Sequence, residues 1–216
     1  RTTSRLSQDL RFGLISIREL HRATLDKMET LDAAGRDSAA TYVSELVWRE
    51  FYMQVIWNFP GVLDEEFNAK YRGMVWPGKR ENFQRWCDGQ TGFPIVDAAM
   101  RELRETGFMH NRTRMIAAMF LTKDLHLDWR MGEMWFMQTL ADGEIASNNG
   151  GWQWSAGTGA DAAPYFRIQN PWSQTKRFDP DGTYIKTWVP ELRNVDVAKL
   201  MDPPAPGMRL ALGYPS

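Results

Sequence analysis

Thirteen residues, Asp142 to Trp154, gather two acids, two adjacent asparagines, two adjacent glycines and two tryptophans. The segment is too polar for an ordinary core and too aromatic for an ordinary solvated loop. Glycines let a backbone approach a flat ligand, acids and amides read its hydrogen-bonding edge, and indoles offer stacking or electronic contact. The plainer reading is a glycine-broken helix end with Trp152 and Trp154 as core anchors. A second cluster, Thr3-Ser4-Arg5-Leu6-Ser7, holds the hydroxyls, amide N–H groups and guanidinium that a phosphate-bearing ligand needs, although Ser7 serves equally as an N-cap. Glu45, Trp48, Arg49 and Tyr52 share one helix face by their spacing, which makes either a pocket wall or a local Glu45–Arg49 ion pair beside a packed indole. Asn111, Arg114 and Met115 share another face while Arg112 points elsewhere, so a pocket side and a phosphate side can coexist on one helix. Arginines so close to apolar runs need partners, either carboxylates such as Asp142 or phosphates.

Helices must position these groups. A short helix follows Ser7, and an amphipathic one runs from Leu14 to Leu31 with Ile15, Ile17, Leu20 and Leu25 inward, broken at Gly35. The clearest helix is Asp37 to Phe59, capped by Asp37 or Ser38 and stopped by Pro60-Gly61, with Tyr42, Leu46, Val47, Phe51, Val55 and Ile56 at helical spacing. Trp86 lies on a short helix ending at Gly89. Pro94 to Glu105 starts on a proline and ends before Gly107. A third long helix spans Phe108 to Leu127, and a fourth with Trp135, Phe136 and Leu140 runs up to Asp142-Gly143. Gly157 to Gln174 reads as a polar loop, Thr183 to Trp188 as a last helical turn, and the proline-rich tail from Asp202 as extended chain. No strand alternation or internal repeat is evident, so the fold class is all-α.

Composition narrows the partners. Of 216 residues, 43% are hydrophobic, enough for a sizeable core, and 26 Lys+Arg against 27 Asp+Glu leave a net charge of -1. A nucleic-acid partner must therefore meet a local basic patch. One cysteine, Cys87, excludes an internal disulfide, and three scattered histidines argue against a metal site, so a cytoplasmic, reducing location is expected. No apolar run approaches a membrane span. Dinucleotide-binding, Walker, nucleophile-elbow and zinc motifs are absent.

Several motifs occur together in order: Thr3-Ser4-Arg5-Leu6-Ser7, Glu45-Leu46-Val47-Trp48-Arg49-Glu50-Phe51-Tyr52, Thr91-Gly92-Phe93-Pro94-Ile95-Val96-Asp97-Ala98-Ala99-Met100-Arg101, Met109-His110-Asn111-Arg112, Lys123-Asp124-Leu125, Asp128-Trp129-Arg130 and Asn148-Asn149-Gly150-Gly151-Trp152-Gln153-Trp154. This set resembles the FAD-binding helical domain of the DNA photolyase and cryptochrome family over about residues 2–193. The resemblance implies a multi-helical domain holding bent FAD in a cavity open to DNA. It implies that Thr3, Ser4, Arg5, Leu6 and Ser7 hold the pyrophosphate and that Tyr42, Arg49, Arg114, Asp142, Glu144 and Asn148 surround the flavin, Asn148 facing N5. Trp152, Trp129 and Trp76 match an electron relay to the surface. Glu45, Trp48, Asn111, Arg112, Met115, Trp154 and Gln174 match the contacts to damaged DNA, with Trp48 and Trp154 flanking flipped pyrimidines and Glu45 bonding a thymine carbonyl.

The expected activity is that of a class I cyclobutane pyrimidine dimer photolyase, a carbon–carbon lyase acting as a monomer. The alternatives are a cryptochrome-like blue-light receptor that signals through a protein partner, and a helical fragment that no longer holds flavin. The family's N-terminal α/β antenna domain, with its folate or deazaflavin chromophore, is expected to lie outside these 216 residues. Three departures stand out: Glu144 for the usual aspartate, Gln169 for an apolar residue, and Tyr42 where tryptophan is also common.

Overall fold

The computed structural model describes residues 3–160 and 168–215, and every regular element among them is helical. Helices α1 (Ser7–Arg11), α2 (Ile17–Met28) and α3 (Ala33–Asn58) form an N-terminal arm. The body comprises α4 (Arg80–Cys87), α5 (Pro94–Thr106), α6 (Asn111–Met119), α7 (Trp129–Thr139) and α8 (Ile145–Ala156). It is completed by α9 (Pro171–Phe178), α10 (Thr183–Trp188) and α11 (Val197–Leu200). Among the described residues no helix is long and apolar enough to cross a membrane.

Caps decide where the helices begin. Ser16 and Asp32 hold β-region backbone and accept from Arg18 N and Gly35 N, so α2 starts after Leu14 and α3 starts before Asp37. Gly35 lies in the first turn of α3 instead of breaking the chain, because the Asp32 carboxylate takes its N–H at 2.8 Å. Leu6, not Ser7, occupies the cap position of α1, and Ser7 is its first helical residue. Helix α6 stops at Met119 and widens into a π turn over Phe120–Asp124, where the Thr122 hydroxyl bonds back to Ala118 O at 2.9 Å. His126 then takes a left-handed φ of 52°, which ends the helix expected to reach Leu127. The expected loop from Gly157 to Gln174 contains a helix at its end, since Asn170 caps Pro171 onward; residues 161–167 of that stretch lie outside the described residues.

The core sits where α5, α6, α8 and α10 meet α4 and α7. Trp86 and Trp129 are wholly buried, and Trp86 Nε1 donates to Ala117 O at 3.1 Å. Phe136 packs edge-on against Trp152, with ring centroids 4.9 Å apart. The tail is not merely extended chain. Tyr214 is buried and its hydroxyl donates to Asp97 at 2.5 Å, where Thr91 N, Thr91 Oγ1 and Gly92 N also bind the carboxylate. Four donors converging on one carboxylate tie the C-terminal end to the start of α5.

The arm is more open than its apolar spacing predicts. No residue of α2 is buried, and in α3 only Leu46 is; Val47 is 58% and Phe51 39% exposed. Helix α3 meets α2 on one side and α8 on another, and among the described residues nothing covers its outer face.

Cys87 lies in the core, and burial pushes its thiol up to about 12. Thiol-specific reagents are expected to leave it unmodified in the native protein and to label it fully in denaturant; rapid labelling without denaturant would show that α4 opens locally.

Candidate functional site

One turn prepares the site. Asp142 follows α7, Gly143 carries the chain round, and Glu144 caps α8: its Oε1 accepts from Ala146 N at 2.9 Å, and its Oε2 from Ser147 N at 2.9 Å and Ser147 Oγ at 2.8 Å. Both Glu144 oxygens are thus engaged with the helix start, which a carboxylate also stabilises through the helix dipole. Asn148 to Trp154 is consequently helical, glycines included, and its side chains sort by face.

The inner face of α8 carries Ser147, Asn148, Gly151, Trp152 and Ser155. With Asn111, Arg114 and Met115 of α6, Phe136 of α7 and the Asp142–Glu144 turn, these residues line a cavity of about 160 Å³. Asn148 Nδ2 donates to Glu133 O at 3.0 Å, which fixes the amide with its carbonyl oxygen free of any bond among the described residues. A Cβ built on Gly151 meets nothing within 4 Å. The opposite face is structural. Asn149 Nδ2 reaches Val62 O at 3.0 Å, Gln153 Nε2 reaches Val62 O at 2.8 Å, and Gln153 Oε1 accepts from Phe67 N at 2.8 Å. These two amides hold the 60–67 segment and do not read a ligand.

Asp142 settles the choice of partner for Arg114. Arg114 Nη2 lies 2.9 and 2.7 Å from the two Asp142 oxygens, and Nε donates to Met109 O at 2.8 Å. The pair is a fixed, largely desolvated dipole in the cavity wall. Arg11 Nε donates to Gly143 O at 2.6 Å, which brings α1 to the same rim. Nothing in the spacing of Arg11 and Gly143, 132 residues apart, could have revealed that contact.

The Thr3 to Ser7 segment precedes this anchor. Among the described residues its hydroxyls make long internal bonds, Arg5 N to Thr3 Oγ1 at 3.5 Å and Leu6 N to Ser4 Oγ at 3.4 Å, while Arg5 lies over the Phe108 ring with a left-handed φ of 56°. Arg112 lies over the Phe178 ring, 4.7 Å from its centroid, away from the cavity as expected. Trp154 is half-buried, and Gln174 Oε1 is buried without a partner among the described residues.

Four α3 residues expected at the site do not line this cavity. Tyr42, Glu45, Trp48 and Arg49 precede the point where α3 crosses α8, which is marked by Tyr52 against Gly150. Glu45 is exposed, with no ion pair to Arg49; Arg49 lines a separate groove between α2 and α3 and meets Met53 Sδ at 3.7 Å. Trp48 is 49% exposed and leans on Tyr52, ring centroids 5.9 Å apart, one ring out from α8.

The three relay candidates differ in their polar surroundings. Trp152 and Trp76 have buried Nε1 atoms without acceptors among the described residues, whereas Trp129 Nε1 donates to Glu66 at 3.2 Å. Gly132 of α7 lets the Trp152 ring lie against that helix, since a Cβ there would stand 2.1 Å from Cη2. Glu66 carries no motif and was not among the residues singled out by sequence.

Comparison with known proteins agrees with this architecture. Residues 42–215 match the FAD binding domain of DNA photolyase. A deoxyribodipyrimidine photo-lyase of Vibrio cholerae is 48% identical over 93% of this chain and 43% of its own length. That of Escherichia coli is 50% identical over 89% and 41%. The chain thus spans well under half the length of these relatives. Among solved structures, an archaeal photolyase from Sulfolobus tokodaii with two FAD molecules superposes with a TM-score of 0.88 at 38% identity, covering 100% of this chain and 46% of that one. A Synechocystis cryptochrome gives 0.85 at 37% identity, covering 93% and 41%. A domain match of this extent, falling on helices that enclose one cavity, makes the chain a member of the DNA photolyase family.

Proposed function

We propose that this chain is the flavin-holding and lesion-reading part of a DNA photolyase that repairs cyclobutane pyrimidine dimers in light. The observation that carries the proposal is the α8 face of the cavity, where an Asn148 carbonyl with no bond among the described residues stands one turn from the open Gly151 position, in a wall shared with the Arg114–Asp142 dipole. These groups fit a flat, hydrogen-bonding heteroaromatic ring. Asn148 would hold a ring N–H through its carbonyl, Asp142 and Arg114 would fix the ring's polar edge, and Thr3 to Ser7 would offer hydroxyls and backbone N–H groups to the pyrophosphate. FAD, when bound, would supply the light absorption and the single electron whose transfer splits the dimer.

The protein would do the rest by positioning. Trp48 and Trp154 would flank the extruded bases, with stacking on the order of 1–3 kcal/mol per base. A damaged dinucleotide, poorly stacked in its duplex, would leave the helix more readily than a normal pair. The exposed Glu45 carboxyl would approach a thymine carbonyl, Asn111 and Met115 would border the dimer from α6, and Arg112 and Gln174 would meet the DNA strand. Trp152, Trp129 and Trp76 would carry electrons inward, an order supported by their burial: Trp152 and Trp129 lie in the core and Trp76 at its edge.

The test is incubation with FAD followed by illumination with a dimer-bearing oligonucleotide. Retained flavin and light-dependent loss of dimers are expected. Flavin uptake with photoreduction but no dimer loss would favour a light-sensing role, and failure to take up flavin would reject the cavity assignment.

A further inference from the structure

Among the described residues, Trp129 is the one relay tryptophan with a built acceptor. Its Nε1 donates to Glu66 Oε1 at 3.2 Å, and Glu66 is 2% exposed. The same oxygen accepts from Arg130 Nη2 at 3.0 Å, while the Arg130 guanidinium carbon lies 4.7 Å from the centre of the Trp129 ring. Arg130 is itself held by Asp128 Oδ1 at 3.2 Å and Asp64 O at 2.9 Å, and Arg72 Nε donates to Glu66 O at 3.1 Å. Of the other acids near this cluster, Glu65 pairs with Arg72, Glu133 takes Asn149 Nδ2, and Asp64 follows Leu63 with its backbone carbonyl on Arg130.

Two effects act together on an oxidised indole here. A guanidinium over the ring face opposes positive charge on the ring, and a carboxylate in line with Nε1 offers a base for its proton. An indole radical cation is a far stronger N–H acid than neutral indole. We propose that Glu66 is the proton acceptor of Trp129, so that electron transfer through this position is coupled to proton transfer. The proposal rests on the relay reading given above. On giving up an electron by way of Trp152 to a one-electron oxidant, which light-excited oxidised flavin would supply when bound, Trp129 would break its Nε1–H bond and pass the proton to Glu66 Oε1. A neutral indolyl radical and a neutral carboxyl remain. Return of the electron returns the proton, and no atom is lost.

This makes Trp129 a holding point. The deprotonated radical recombines slowly because the back step must move a proton as well as an electron. Trp152 and Trp76, whose Nε1 atoms have no acceptor among the described residues, would pass charge without that delay.

The test is transient absorption of the whole chain loaded with oxidised FAD and carrying Trp76→Phe, which stops the hole at Trp129. The neutral-radical band is expected to replace the cation band, more slowly in D2O than in H2O. Adding Glu66→Gln, which keeps an oxygen acceptor but no base, is expected to leave the cation band in place and abolish the solvent isotope effect. A neutral radical forming as fast in E66Q, or never forming with Glu66 present, would overturn the proposal. Undiminished flavin photoreduction in Trp129→Phe would overturn the relay reading and the proposal with it. A flavin-free readout accompanies these: the Trp129 indole N–H resonance, assigned by its loss in Trp129→Phe, should move upfield in E66Q, and an unmoved resonance would show that Glu66 is not its acceptor.

Discussion

Replacing Arg114 with methionine is expected to destabilise the domain by about 3–4 kcal/mol, more than replacing its partner Asp142 with alanine. Breaking a buried ion pair from one side leaves the other charge desolvated, typically about 3–5 kcal/mol. The two sides differ in burial. The Asp142 side chain is 4% exposed and Arg114 26% exposed, so an orphaned carboxylate is the worse outcome. An orphaned Arg114 would keep Met109 O as an acceptor and some water, which places Asp142→Ala nearer ~2 kcal/mol. Urea unfolding midpoints of both variants and of the double variant measure this directly. The double variant should be less damaged than the sum of the singles, because it leaves no unpaired charge. Equal losses from the two single variants would mean that the pair is more hydrated than its geometry indicates. FAD uptake should fall with both, since the pair forms the cavity wall beside Asn148.

Much of this arrangement was legible in sequence, and the reasons are local. Pro94 at a helix start, Gly107 at its end and apolar spacing between them mark α5 without tertiary information, because capping and periodicity act within a turn or two. The start of α3 was misplaced because Asp32, Asp37 and Ser38 are all competent caps, and only the folded backbone selects Asp32. The sorting of Asn148 from Asn149 follows from helical geometry once α8 is known to be helical through two glycines, a propensity penalty of about 1 kcal/mol each that tertiary packing overrides. The exposure of Val47 and Phe51 could not be inferred, since amphipathic spacing shows that a face can be covered and not what covers it. Glu66 was invisible for another reason: its partner Trp129 is 63 residues away, and nothing in the spacing of the Asp64-Glu65-Glu66 run in a turn-rich segment singles out its third acid.

The adjacent glycines of α8 offer the sharper experiment, because one substitution type should give opposite results at neighbouring positions. A Cβ on Gly150 would stand 2.0 Å from Tyr52 Cδ1 and 2.6 Å from Cγ, close to the root of the ring, where rotation gives little relief. Gly150→Ala therefore has to push α3 from α8, an overpacking cost of about 2–3 kcal/mol that outweighs the ~1 kcal/mol gained from alanine's better helix propensity. At Gly151 the same Cβ meets nothing within 4 Å, so Gly151→Ala should hold or raise stability by up to ~1 kcal/mol. The open space there is the cavity itself. Gly151→Leu should therefore fold normally yet weaken FAD binding by about tenfold or more, equivalent to ~1.4 kcal/mol. Thermal unfolding separates the first pair of variants, and flavin titration the second. A stable Gly150→Ala would mean that α3 is not seated on α8 through Tyr52, and undiminished flavin binding by Gly151→Leu would move the ring away from this face of α8. Because the two positions are consecutive, any general weakening of α8 would affect both alike, and only close packing on one side with an open ligand cavity on the other predicts the divergence.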